Sequence, residues 1–188
     1  MRKIVTFPNP ILRKKSKKVG VWRKEEEGLL TDLKRELAKS KIGVGLSAPQ
    51  IGVRSRIFII RCEQEFTVFV NPQITKTFGE KTYPLIITPA GEQEEFLEGC
   101  LSFPDLYGPV KRFLKIKAAW QEPPKMKNEK FKIKNKILEG LPAIIFQHEL
   151  DHLGGILFID HLQKEKRDLF GPDKEGNKIK IDPGAMLE

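Results

Sequence analysis

Chemically versatile residues are scarce in this chain. Its 188 residues include only two cysteines, three histidines, two tryptophans and two tyrosines. Two cysteines, Cys62 and Cys100, argue against the disulfide framework of a small secreted scaffold, fit a reducing compartment and leave a free thiol to explain. No apolar run approaches the roughly 18 residues needed to span a bilayer, so a membrane protein is not expected. The N-terminus starts basic, MRKIVTFPNPILRKKSKK, but Pro8, Asn9 and Pro10 interrupt it before the apolar region of a signal peptide forms. A cytoplasmic protein is expected. Internal repeats, low-complexity tracts and linkers are missing too, which predicts one domain over residues 1–188.

Charge is what the chain has in excess. Lys and Arg number 34 against 25 Asp and Glu, a net charge of +9. A field of that sign favours anionic partners and also serves solubility. The basic groups concentrate in RKKSKK (13–18) and in Lys130, Lys132, Lys134 and Lys136. Neither an aromatic-glycine RNA motif nor a DNA-binding helix pair accompanies them, so an RNA-binding module is a rival reading without a motif, and no sequence-specific nucleic acid is expected.

KEEEGLLTDLKRELAKS (24–40) sets Leu29, Leu30, Leu33 and Leu37 at helical spacing, acidic residues first and basic ones last, as the helix dipole prefers. This predicts an N-terminal amphipathic helix ending near Gly43. RSRIFII (54–60), FTVFV (66–70), LKIKAAW (114–120) and KFKIKNKI (130–137) are rich in strand-favouring residues. In the last of these, lysines alternate with Phe131, Ile133 and Ile137, which predicts one buried face and one row of ammonium groups. Strands bracketed by an early and a late helix indicate an α+β fold.

The late helix carries QHELDHLGG (147–155). Two histidines four apart with glutamate after the first arise by chance about 0.004 times in a chain of this composition. Pro142 suits a first helical turn, and Gly154 with Gly155 suits a stop after Leu153. On such a helix His148 and His152 stand one turn apart on one face, so two imidazoles can share one cation, while Glu149 sits about 100° round, within reach of a water there. Two core histidines bonded to backbone would have the same spacing.

A hydrolytic metal centre usually has three protein ligands and one open position. The peptidase pattern HExxHxxGxxH fails because Phe158 occupies its last position. Glu165 and Glu175 lie in a polar tail, and His161 falls beyond the glycine stop, where a surface position is expected. Cys100 remains, in EGCLSFP (98–104), where a glycine before the thiol and a proline after it suit a shaped turn. Cys62 has no such context and is expected to be structural or partly exposed. GVGLSAPQIG (43–52) packs small residues where backbone approaches something closely and ends in Gln50, an amide donor. It is no dinucleotide fingerprint, because it follows a helix and the glycine spacing breaks at Ala48.

Together GVGLSAPQ, EGCLS and QHELDHLGG, in that order, resemble the peptide deformylases, and PNPILRKKSKKV resembles that family's N-terminal segment. The resemblance covers about residues 4–162 and leaves a polar, turn-rich tail, 163–188, expected to be partly mobile. It implies antiparallel sheets around a central metal-bearing helix. It implies that Cys100, His148 and His152 bind one divalent ion, Fe(II) in the cell, with Zn(II), Ni(II) or Co(II) able to occupy the site. Glu149 would be general base and then general acid as metal-bound hydroxide attacks a formyl carbon; Gln50 and the backbone N–H of Leu101 would hold the oxyanion. Val44, Gly45, Gly99, Ile144 and Ile145 would line the substrate pocket. The implied substrate is the N-formyl-methionyl end of newly made polypeptides, and transient ribosome contact through the basic surface would follow.

Several positions depart from the family pattern. Ser47 stands where alanine is common and brings a hydroxyl that needs a partner. Pro142 replaces a leucine. Tyr107 stands where an arginine is frequent, and Arg112 is expected to take over its contacts with substrate. Residues 80–95 read as an insertion that reshapes one rim of the cleft. Another HExxH metallopeptidase or amidase, which requires a third ligand other than Cys100, and a deformylase-like protein with an altered substrate are the enzymatic alternatives.

Overall fold

The computed structural model describes residues 2–62, 65–124 and 129–184. In chain order they form α1 (Lys24–Lys39), β1 (Gly45–Ser47), β2 (Ile57–Cys62), β3 (Glu65–Thr82), β4 (Leu85–Ile87), β5 (Gln93–Glu95), β6 (Leu97–Cys100), β7 (Phe103–Pro109), β8 (Arg112–Glu122), β9 (Lys132–Glu139), α2 (Leu141–Gly154), α3 (Phe158–Glu165), β10 (Leu169–Pro172) and β11 (Lys178–Ile181). Every strand pairing among them is antiparallel. The α+β expectation holds, with sheet dominant.

The larger sheet runs β1-β2-β3-β8-β9. β2 shows why it is covered on both faces. Ile57 and Ile59 turn towards Leu29, Leu33 and Leu37 of α1, whereas Phe58 and Ile60 turn towards Ala143, Phe146 and Leu153 of α2. Side chains alternate across a strand, so one short apolar run serves two helices. α1 begins with Glu25, Glu26 and Glu27, and the Arg23 N–H donates to Glu26 Oε2 at 2.9 Å. α2 is capped by Gly155, whose φ of +77° suits glycine and where a Cβ would run into the Arg13 carbonyl.

The smaller sheet runs β11-β10-β7-β6 and packs with α3 around Leu12, Phe103, Phe158 and Leu162. β4 and β5 form a separate ribbon, so the segment read as an insertion is a hairpin, pinned by the Arg167–Glu95 ion pair.

Three expectations need correction. In β9 the alternation does not separate a buried from an exposed face. Lys134 and Lys136 oppose Trp120 and Ala118 on the α2 side, while Ile133 and Ile137 oppose Gln121 and Lys117 on the open side, 70% and 50% exposed. β9 is the sheet edge, and no layer buries it. The tail read as polar and turn-rich holds regular structure: α3 extends into it, and β10 and β11 add a hairpin to β7. Its last four residues lie outside the described ones. His161 is not a free surface side chain but bonds to Asp151 at 2.8 Å.

Candidate active site

Three segments remote in sequence converge where α2 passes β6 and β1. β6 ends at Cys100 with a register irregularity, since Gly99 opposes Tyr107 but Cys100 opposes Phe103. Such a slip re-aims a side chain at a strand end. α2 presents His148 and His152 one turn apart, ring centroids separated by 4.9 Å. Cys100 Sγ is 3.3 Å from His152 Nε2, and ligand atoms of Cys100, His148 and His152 all lie within 4.8 Å of one another.

The chemistry of this donor set fits a soft or borderline divalent cation. Burial alone would push the Cys100 thiol up, but the charge of His152 and the hydrogen bonds of both histidines outweigh it and bring it down to about 5. A thiolate is the form that ligates metal. His148 Nδ1 is 3.0 Å from Glu98 Oε2, which leaves Nε2 for a metal, the arrangement in which a carboxylate orients a ligating imidazole.

Behind the histidines lies a charge network that sequence reasoning did not find. Arg112, 2% exposed, donates through Nε and Nη2 to the two Glu98 oxygens at 2.7 and 2.9 Å, and through Nη1 to Asp151 Oδ2 at 2.5 Å. His161 bonds the same Asp151 oxygen. Burial works to raise Glu98, and Arg112 with His148 outweighs it, holding the carboxyl at about 2. Arg112 is thereby removed from the role expected of it: a side chain so enclosed does not reach substrate. Glu98 and Asp151 both sit inside the quoted motifs, and their partners emerge only in three dimensions.

Glu149 follows His148 and is 3% exposed. Burial pushes its carboxyl up to about 7, against the pull of the two histidines. Among the described residues its Oε2 has no hydrogen-bond partner, so one oxygen is free to exchange a proton. Gly45 leaves room for it, because a Cβ there would overlap Glu149 Oε1 where the side chain now stands. The Ser47 hydroxyl finds its partner in Gln50 Oε1 at 2.9 Å, and Gln50 Nε2 points to Cys100 Sγ at 3.4 Å.

These groups border a cavity of about 520 Å³. Gln50, Cys100, Leu101, His148 and Glu149 line it, as do Val44, Gly45, Gly99, Ile144 and Ile145. His152 stands behind them, 1% exposed. Tyr107 also lines the wall, packed so close to Gly99 that a Cβ on the glycine would come within 2.7 Å of its ring. An ionisable cluster beside a largely apolar hollow is the arrangement of a hydrolytic site with a side-chain pocket.

Known proteins share this architecture. The sequence profile of polypeptide deformylase matches residues 1–168. Peptide deformylase of Aquifex aeolicus is 38% identical over 173 residues, 89% of this chain and 90% of that protein. That of Helicobacter hepaticus is 38% identical over 184 residues, 97% and 93% of the two chains. The crystal structure of peptide deformylase from Thermotoga maritima superposes with a TM-score of 0.70 at 31% identity, covering 86% of this chain and 97% of that one. A match that runs through all three converging segments leaves one conclusion: the chain belongs to the polypeptide deformylase family.

Proposed function

We propose that this protein removes the N-formyl group from the N-terminal methionine of newly made polypeptides, releasing formate and a free amine. The observation that carries the reading is the thiolate and two imidazoles gathered beside a buried carboxyl, at the wall of an apolar cavity, in a chain of this family. Cys100, His148 and His152 would hold one divalent ion, Fe(II) by preference with Zn(II), Ni(II) or Co(II) as substitutes; when bound it supplies Lewis-acid polarisation of water and of the formyl oxygen.

The chain's own groups do the rest. Glu149 takes the proton of the attacking water and returns it to the amine nitrogen as the C–N bond breaks. A carboxyl near 7 is matched to both tasks at neutral pH. Gln50 Nε2 and the Leu101 N–H donate to the oxygen that gains charge, each such donor being worth about 3 kcal/mol. Val44, Ile144 and Ile145 wall the methionine side chain, while Gly45 and Gly99 let backbone come close. The 188 residues work as one domain in the cytoplasm, and the net charge of +9 supports transient contact with the ribosome, from which the substrate emerges. The test is formate release from a formyl-methionyl peptide by protein prepared anaerobically with Fe(II): turnover supports the reading, and its absence at full metal occupancy rejects it.

A further inference from the structure

His161 stands outside the three converging segments, on α3, nine residues beyond His152. The buried Phe158, Ile159 and Leu162 seat that helix in the core of the smaller sheet. The His161 side chain reaches α2 instead, with Nε2 2.8 Å from Asp151 Oδ2. A carboxylate only accepts, so Nε2 carries the ring's proton and donates it.

That bond falls on the oxygen that also receives Arg112 Nη1, at 2.5 Å. Arg112 donates in turn to both Glu98 oxygens, at 2.7 and 2.9 Å, and Glu98 Oε2 lies 3.0 Å from His148 Nδ1. His161 is thus the outer end of a chain of hydrogen bonds that leaves α3, passes through α2, β8 and β6, and returns to α2 at a candidate metal ligand. Arg112 and Glu98 are enclosed and cannot turn to water, whereas the side chains of Asp151 and His161 are 21% and 22% exposed. Asp151 is therefore the link with an alternative. Freed of His161, its carboxylate can rotate to solvent and leave Arg112 Nη1 buried without its acceptor, a loss that drives the guanidinium, and Glu98 with it, to a new position.

We infer that His161 is a positioning residue of the metal centre: by fixing the Asp151 carboxylate it holds Arg112, and through Arg112 the Glu98 oxygen that sets the ring of His148. The inference rests on the deformylase reading for the three metal ligands and not for the substrate. A histidine that merely fastened α3 to α2 would add stability and leave the metal untouched.

The test reads Zn(II) affinity by competition with a chelator and the ligand field by the absorption of the Co(II)-loaded protein, neither of which needs turnover. His161→Phe keeps the bulk of the ring and removes the donor. Its Zn(II) affinity should fall about 3-fold to 10-fold, less than the roughly 10-fold to 100-fold typical of a partner that bonds a ligand directly, and its Co(II) bands should shift. His161→Gln, whose amide can donate from where Nε2 stands, should restore both. Because His161 acts through Glu98, the double variant His161→Phe/Glu98→Gln should bind Zn(II) no more weakly than Glu98→Gln alone. A lower Tm with unchanged affinity and spectrum overturns the inference, as do equal losses in His161→Phe and His161→Gln or additive losses in the double variant. A wild-type protein that binds its metal and responds to His161→Phe as expected, yet releases no formate from a formyl-methionyl peptide, rejects the deformylase reading instead and leaves the positioning role standing.

Discussion

Ser47 and Gln50 meet through one oxygen: the Ser47 N–H and hydroxyl both donate to Gln50 Oε1, at 2.8 and 2.9 Å. With its acceptor end doubly held, the Gln50 amide has only its NH₂ to offer the cavity, where Nε2 lies 3.4 Å from Cys100 Sγ. The Ser47 hydroxyl thus helps to fix the direction of the Gln50 amide, the proposed oxyanion donor.

Ser47→Ala removes one of those two bonds and leaves the backbone one. A net hydrogen bond is worth about 1 kcal/mol, so kcat for formate release is expected to fall about 3-fold to 10-fold with KM little changed. Steady-state kinetics on a formyl-methionyl peptide checks this, and an unaltered kcat would show that the backbone bond alone suffices.

Glu98→Gln keeps the shape of the side chain but weakens its hold on His148 Nδ1 and leaves Arg112 half-compensated. Loss of a partner that orients a ligating histidine typically costs about 10-fold to 100-fold in metal affinity. Competition with a chelator measures it. Wild-type affinity in the variant would mean that packing alone sets the ring of His148.

Asp32 gives a pH signature far from the site. Burial acts to raise its carboxyl, and hydrogen bonds from Arg2 at 2.9 Å and Arg35 at 2.6 Å outweigh burial, so the folded value lies below the ordinary one. A carboxyl depressed on folding adds stability above its unfolded value of about 3.9, and that stability fades as pH falls through the folded value. The Tm difference between wild type and Asp32→Asn is therefore expected at pH 6 to 7 and to shrink on acidification below about pH 4. A difference that stays constant to pH 3 would contradict this.

The donor set was legible in the sequence because its signal is local: the spacing of His148 and His152 follows from one helical turn, and Cys100 sits in a short motif. The buried network was not. Glu98, Arg112, Asp151 and His161 come from β6, β8, α2 and α3, and nothing in linear order pairs a carboxylate with a guanidinium fourteen residues on. Alternation in β9 revealed two faces, but which face is covered depends on how far α2 reaches over the sheet edge. The C-terminal hairpin was missed because LFGP is short and ends in Gly-Pro and KIKI is short and half charged, so neither reads as a strand until β7 supplies a partner.

In the proposed mechanism Glu149 moves the proton while Cys100, His148 and His152 hold the metal. Formate release by Glu149→Gln, read alongside metal content and with His148→Ala for comparison, separates these two roles. Glutamine is nearly isosteric, so the variant should keep its metal stoichiometry while turnover falls about 10²-fold or more. His148→Ala should lose metal and turnover together. Near-wild-type formate release by Glu149→Gln, or loss of its metal, would contradict the account.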